Sequence, residues 1–222
     1  MVLLVPVYQP GDGLSRLVSD VRAADPSCPI VLVDDGSSTP VDEPGCTLLR
    51  HSVNRGKGAA LRTGFAHIAA EHPGEPVVCA DGDGQHSAED IMRVAARVAS
   101  DDHVVLGVRR VRRMPPRSRL GNAVTRELFR AATGRWVRDT QTGLRGYPGS
   151  MLQWLCEVPG ERFEYEMNVL LAAVRAGHRI EQVEIATTYL DGNASSHFGS
   201  LSDAARVYRS LLRFAIVDRL SL

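Results

Sequence analysis

Short apolar runs recur along the first half of the chain, and each closes on polar residues. They are Val2 to Val7, Ile30 to Val33, Val77 to Ala80 and Val104 to Val108. Continuous runs this short, bounded by Gly, Pro and Asp, read as strands buried on both faces. Between them the apolar residues recur with helical period. Leu14, Leu17, Val18 and Val21 form one set, Leu61, Phe65 and Ile68 a second, and Ile91, Val94 and Val98 a third behind a Ser87 cap. Thr47 to Arg50 adds a further candidate strand. This alternation predicts an α/β fold, with a mostly parallel central sheet flanked by helices. In such sheets ligands bind beyond the carboxyl ends of the strands. The residues there are Pro6 and Tyr8, Asp34 and Asp35, Asp81 and Asp83, and Arg109. They are expected to line one cleft.

The third apolar run leads into Asp81-Gly82-Asp83-Gly84-Gln85-His86. On an extended backbone alternate residues point the same way, so Asp81 and Asp83 can aim at one point. Two carboxylates so placed repel unless a cation lies between them, and hard oxygen ligands suit Mg²⁺ or Mn²⁺. Gln85 and His86 offer further neutral ligands or donors to the ligands, and Gly82 and Gly84 leave room for a ligand to approach the backbone. An isolated Asp-Gly-Asp is more often a solvated turn. Its place behind a buried strand is what points to a metal that grips a substrate diphosphate.

The second half carries mixed signals. Arg109, Arg110, Arg112, Arg113, Arg117 and Arg119 crowd one stretch, as over an anionic ligand or surface. A helical pattern follows through Leu120, Val124, Leu128 and Phe129, then the polar turn Asp139-Thr140-Gln141-Thr142-Gly143. Phe163 to Glu166 opens a helix that Gly177 closes. Glu164 and Glu166 read as its solvated start. Ile180 to Thr188 alternates as a strand, Asp191 to Ser200 is a polar loop, and Leu201 to Leu222 closes as a helix. That helix has Arg206, Arg209 and Arg213 beside Leu211, Leu212, Ile216 and Leu220, a pattern shared by interfacial helices and by ordinary core packing with a basic outer face.

Bulk properties narrow the function. The 222 residues have zero formal net charge, which argues against a nucleic-acid partner. The four cysteines, Cys28, Cys46, Cys79 and Cys156, lack paired or metal-ligand spacing and read as reduced, as in a cytoplasmic protein. No apolar run has the length of a membrane span, and Met1 leads straight into a strand with no signal peptide.

Taken together the motifs resemble family 2 glycosyltransferases of the GT-A fold, especially the polyprenyl-phosphate sugar synthases. The matching stretches are Val5-Pro6-Val7-Tyr8, Val33-Asp34-Asp35-Gly36-Ser37, Asn54-Arg55-Gly56-Lys57-Gly58, Asp81 to His86, Asp139 to Gly143 and Ser196-His197-Phe198. The resemblance implies one GT-A domain over residues 1–222. Residues 1–110 would form a nucleotide-binding half, and 111–222 an acceptor-binding half with the amphipathic C-terminal helix.

It also implies roles. Pro6, Tyr8 and Asp35 would line a nucleoside pocket. Asp81, Asp83 and Gln85 would hold Mg²⁺ or Mn²⁺ on the diphosphate, with Gly82 beside it, and Lys57 and Arg109 would contact phosphate. Asp139 would sit near the sugar and acceptor, as the base for a hydroxyl acceptor or as an orienting carboxylate for a phosphate one. The implied donor is GDP-mannose or a UDP-hexose, and the implied acceptor a polyprenyl phosphate. Peripheral contact with the inner face of the cell membrane, or with a membrane partner protein, would follow.

Three rivals remain at this point. One is a glycosyltransferase acting on a glycan hydroxyl, and another is a non-catalytic nucleotide-binding module. The third is a nucleotidyltransferase, which Tyr8-Gln9-Pro10-Gly11-Asp12 disfavours because it lacks a basic Gly-rich loop. Two departures stand out. Gln9 and Pro10 replace a usual Asn-Glu, and Gly199 and Ser200 stand where relatives often have Arg-Pro.

Overall fold

Strand β1 (Val2–Val7) sits near the middle of a seven-stranded sheet in a computed structural model that describes residues 1–100, 103–109, 116–186 and 201–219. The chain continues through α1 (Gly13–Ala24), β2 (Ile30–Asp34), β3 (Thr47–Arg50), α2 (Lys57–Glu71) and β4 (Val77–Cys79). Then come α3 (Ala88–Ser100), β5 (Val104–Arg109), α4 (Pro116–Thr133) and β6 (Arg145–Tyr147). A short 3₁₀ turn, α5 (Leu152–Glu157), α6 (Glu164–Arg175), β7 (Ile180–Ile185) and α7 (Leu201–Arg219) complete it. The order across the sheet is β3-β2-β1-β4-β6-β5-β7. Among the described residues only β6 runs antiparallel, to β4 on one side and β5 on the other. The sheet is therefore mostly parallel, as the sequence pattern predicts.

Strand alternation divides the core into two layers. Val2 and Leu4 of β1, Val31 and Val33 of β2, Val77 and Cys79 of β4, and Val104, Leu106 and Val108 of β5 face one side. There they meet Phe65 and Ile68 of α2, Tyr165 and Leu170 of α6, and Val207 and Leu211 of α7. Leu3, Val5 and Val7, Ile30 and Leu32, Val78 and Val105 face the other side, against Leu17, Val18 and Val21 of α1 and Ile91 and Val94 of α3. Successive strand side chains alternate between faces, so each run must be apolar throughout.

The helix ends follow their local chemistry. Ser87 Oγ accepts the backbone N–H of Asp90 and so caps α3. Past α6, the Gly177 N–H bonds to the Val174 carbonyl and the His178 N–H reaches back to Ala173. In α7, Leu211 joins the core, whereas Leu212 and Ile216 are exposed. No helix among the described residues is long and apolar enough to cross a membrane. Arg110, Arg112, Arg113, the Arg117 side chain, the Asp191 to Ser200 loop with Ser196-His197-Phe198, Thr187, Thr188 and Leu220 lie outside the described residues.

Candidate functional site

Most of the expected residues fall on one connected arc at the carboxyl ends of the strands. The arc begins after β2. Asp35 is buried, and its Oδ1 accepts the His51 Nδ1–H at 2.7 Å and the Arg55 backbone N–H at 2.8 Å. Its Oδ2 accepts the Gly56 N–H at 2.7 Å. His51 is fixed in turn by Thr63 Oγ1 at 2.9 Å. Asp35 therefore ties the end of β2 to the loop that leads into α2. Gly56 turns that loop with φ of 102°, and a Cβ there would come 2.5 Å from the Glu161 carbonyl oxygen. The next residue, Lys57, opens α2.

The Lys57 ammonium lies 2.6 Å from Asp81 Oδ1 and 2.9 Å from Glu166 Oε2. Asp81 packs so closely over Gly143 that a Cβ on Gly143 would fall inside the Asp81 carboxylate. Burial works against both charges. The attraction of Asp81 and Glu166 nevertheless pushes the lysine pKa up, and Lys57 with His86 holds the Asp81 carboxyl well below the usual range. His86 Nε2 stands 3.8 Å from Asp81 Oδ2.

Asp83 sits in the turn beyond β4, not on an extension of the strand. The alternating-residue argument therefore does not describe the pair, because the backbone leaves the sheet after Cys79. Asp83 Oδ1 accepts the Gln85 N–H at 3.0 Å, while Oδ2 has no hydrogen-bond partner among the described residues. Burial and the neighbouring Asp81 charge raise its pKa. The missing side chain at Gly82 makes room for β1, since a Cβ would come 2.7 Å from Val7 Cγ1.

The stretch from Asp139 to Gly143 carries the arc from Asp81 to β5. Asp139 is fully buried, and Arg109 at the end of β5 grips it at two points. Arg109 Nε donates to Oδ2 at 2.7 Å, and Nη2 donates to Oδ1 at 3.0 Å. The Gln141 N–H adds a bond to Oδ1 at 3.2 Å. The same turn is fixed from below by the buried Arg145. Its guanidinium donates to the carbonyls of Thr142, Thr140 and Glu166 at 2.8, 3.2 and 2.7 Å. At the opposite end, Pro6 is half-buried and Tyr8 is 37% exposed. The loop after Tyr8 is tied to the β2 loop, with the Gln9 N–H donating to Ser37 Oγ at 2.8 Å.

Glu166 corrects the reading of a solvated helix start. It lies in phase with Val169, Leu170 and Ala173 on the buried face of α6, and its carboxylate meets Lys57 and Arg145. A carboxylate on an apolar stripe needs a buried cation, and that mismatch was the available signal. Glu164 does stay local, accepting the backbone N–H groups of Glu161 and Arg162.

No cluster of three or more His, Cys, Asp or Glu side chains among the described residues could hold a metal alone. Asp81 already receives a cation, the lysine, and Asp83 Oδ2 receives no hydrogen bond among the described residues. Such a donor set fits a hard divalent ion that takes most of its ligands from water and a diphosphate.

Comparison with known proteins places these residues in a wider setting. The profile of glycosyl transferase family 2 matches residues 2–147. An uncharacterised protein of Methanocaldococcus jannaschii is 29% identical over 177 residues, covering 75% of this chain and 72% of its own. The UDP-N-acetylglucosamine–dolichyl-phosphate N-acetylglucosaminyltransferase of Methanococcus voltae is 31% identical over 150 residues. That match covers 64% of this chain and 59% of the relative. Glucosyl-3-phosphoglycerate synthase from Mycobacterium tuberculosis, solved with Mn²⁺, UDP-glucose and phosphoglyceric acid, superimposes with a TM-score of 0.75 at 16% identity. The alignment covers 96% of this chain and 79% of that one, and it shows a shared GT-A fold.

Proposed function

The chain belongs to glycosyl transferase family 2, and on that footing we propose that it moves a hexosyl group from a nucleoside diphosphate sugar to a polyprenyl phosphate, inverting the anomeric carbon. The observation that carries this reading is the arc itself. Lys57 meets Asp81 beyond β4, near enough for Asp83 to feel the Asp81 charge, on the side where parallel sheets bind ligands, and Arg109 holds Asp139 on the same arc. Pro6 and Tyr8 would flank the nucleoside.

Asp81, Asp83 and Gln85 would hold Mg²⁺ or Mn²⁺. Bound there, the ion would offset charge on the leaving diphosphate. Lys57 would hold a phosphate oxygen. An acceptor phosphate oxygen attacks the anomeric carbon from the face opposite the diphosphate. The new C–O bond forms as the old one breaks, and the bonding pair leaves on the nucleoside diphosphate.

A phosphate acceptor is ionised already and needs no base. This agrees with Asp139, both of whose oxygens Arg109 occupies. A glycan hydroxyl would need Asp139 free to take a proton. The M. voltae relative carries a dolichyl-phosphate acceptor in its name, which points the same way. The exposed Leu212 and Ile216 of α7, beside Arg209 and Arg213, would suit peripheral contact with an anionic membrane face.

The test is a screen of nucleotide sugars with Mg²⁺ or Mn²⁺ against short polyprenyl phosphates and glycans, read by mass spectrometry. Sugar-linked polyprenyl phosphate should form and should disappear in Asp83→Asn and in chelator. Transfer to glycans alone, or product formation in excess chelator, would contradict the proposal.

A further inference from the structure

Three carboxylates and two cations meet at the back of the cleft, Arg145 and Glu166 buried and Asp81 and Asp83 half-buried. Asp81, Asp83 and Glu166 face Lys57 and Arg145, which with His86 neutral leaves one net negative charge (two positive against three negative). The two cations are held in different ways. Arg145 is fixed by three backbone carbonyls on a planar fork, so it cannot move without breaking the turn beneath Asp139. Lys57 is held by two side-chain carboxylates, at 2.6 and 2.9 Å, at the end of a flexible stem. Its side chain is 15% exposed, and that of Asp81 34%, so the pair reaches the cleft.

We propose that Lys57 is an exchangeable counter-ion. In the ligand-free chain it neutralises Asp81, and a donor's diphosphate draws it away, opening Asp81 to the divalent ion. This rests on Asp81 and Asp83 being the metal carboxylates. Charge alone makes the two ligands depend on each other. A divalent ion arriving by itself must displace an ammonium from Asp81, or sit beside it, and turns the cluster positive. A doubly charged diphosphate arriving by itself adds to the negative excess. Both together restore the original charge, with Lys57 moved onto a phosphate oxygen. Glu166 is a positioning residue in this scheme. It keeps hold of the ammonium at 2.9 Å while Asp81 lets go, so the lysine never stands unpaired in the interior.

The coupling is reciprocal by thermodynamic necessity: the factor by which diphosphate tightens metal is the factor by which metal tightens diphosphate. The test is Mn²⁺ binding to the full chain, followed by the electron paramagnetic resonance of free Mn²⁺, without and with a nucleoside diphosphate. Wild type should bind Mn²⁺ weakly alone and at least about tenfold more tightly with the diphosphate, as expected for losing one close like charge. Lys57→Met should bind Mn²⁺ alone about tenfold more tightly than wild type and lose most of the enhancement by diphosphate. Glu166→Gln, which leaves Asp81 as the single carboxylate partner of Lys57, should shift Mn²⁺ affinity the opposite way. It keeps the test alive should the lysine variant fail to fold. Asp83→Asn should lose Mn²⁺ under every condition.

If Asp83→Asn abolishes binding while Lys57→Met leaves both the affinity and the enhancement at wild-type values, the exchange is wrong and the metal site stands. If wild type binds no Mn²⁺ even with diphosphate, the metal site itself is wrong and the exchange falls with it.

Discussion

Asp35, buried, and Asp81, partly open to the cleft, stand just past the carboxyl ends of two parallel strands, β2 and β4, and both carry a negative charge. They are neutralised by different means. Asp35 is met by the backbone N–H groups of Arg55 and Gly56 and by His51, donors that belong to the fold and cannot leave. Asp81 is met by the side-chain ammonium of Lys57, at the end of a flexible stem. The first arrangement builds a wall of the cleft. The second leaves a carboxylate whose partner a ligand can replace. A buried acid is therefore a candidate ligand site only when its present partner can depart without orphaning the backbone.

The largest effect that would break or sharpen this contrast is removal of the lysine partner. Lys57→Met should destabilise the fold by about 3 kcal/mol, the low end for a broken buried pair, because the partly exposed Asp81 loses its ammonium while Glu166 keeps Arg145. The pH dependence then changes sign. In wild type Lys57 is raised and Asp81 lowered, so their shared contribution is full between 3.8 and 10.5, the ordinary carboxylate and lysine values. It is lost as pH falls below the first or rises beyond the raised lysine value. Asp83, raised by burial, works weakly in the opposite sense at acid pH. In the variant Asp81 loses the cation that holds it down and is pushed up, so stability should rise as pH is lowered from about 7 to 5. Thermal midpoints across that range would show it.

Next in size is Asp83→Asn. It should cut sugar transfer by about 10²–10³-fold, as for loss of one charge-stabilising group at a reacting centre. The unfolding midpoint should scarcely move, because Asn retains the Oδ1 acceptor for Gln85. Steady-state assay with parallel calorimetry checks both. Asp35→Ala should do the reverse. It should lose about 2–3 kcal/mol of stability from stranded backbone donors, and Mn²⁺ affinity in the surviving folded fraction should stay at the wild-type value. The smallest expected effect is that of His51→Ala, which removes one of three donors to Asp35. Chemical denaturation should report about 1 kcal/mol, again with Mn²⁺ binding unchanged.

The sheet was legible because its signals are local. Runs such as Ile30 to Val33 must be apolar throughout to serve two core layers, and Ser87 and Gly177 mark helix ends through bonds to residues a few positions away. β6 was missed. It has three residues, Arg145-Gly146-Tyr147, and owes its place to β4 and β5 on either side rather than to any periodicity. α5, at Leu152–Glu157, is likewise too short to show a period. At the site, sequence order pointed to Asp81 and Asp83, but it could not reveal that residues 57, 81 and 166 meet. Nor could it show that Asp139 is clamped by Arg109, since these contacts join residues far apart in the chain. The prediction that Asp81 and Asp83 share one side of an extended strand failed because the chain turns at Gly82 and Asp83.

The central claim is that Asp81 trades a lysine for a metal ion when a diphosphate arrives. A crystal structure with nucleoside diphosphate and Mn²⁺ measures this directly, through the distance from Lys57 Nζ to Asp81 Oδ1, now 2.6 Å. The account predicts that it opens beyond about 3.5 Å, outside hydrogen-bond reach, with Nζ on a phosphate oxygen and Asp81 on Mn²⁺. A diphosphate and Mn²⁺ bound in the cleft with the Lys57–Asp81 pair still closed would contradict it.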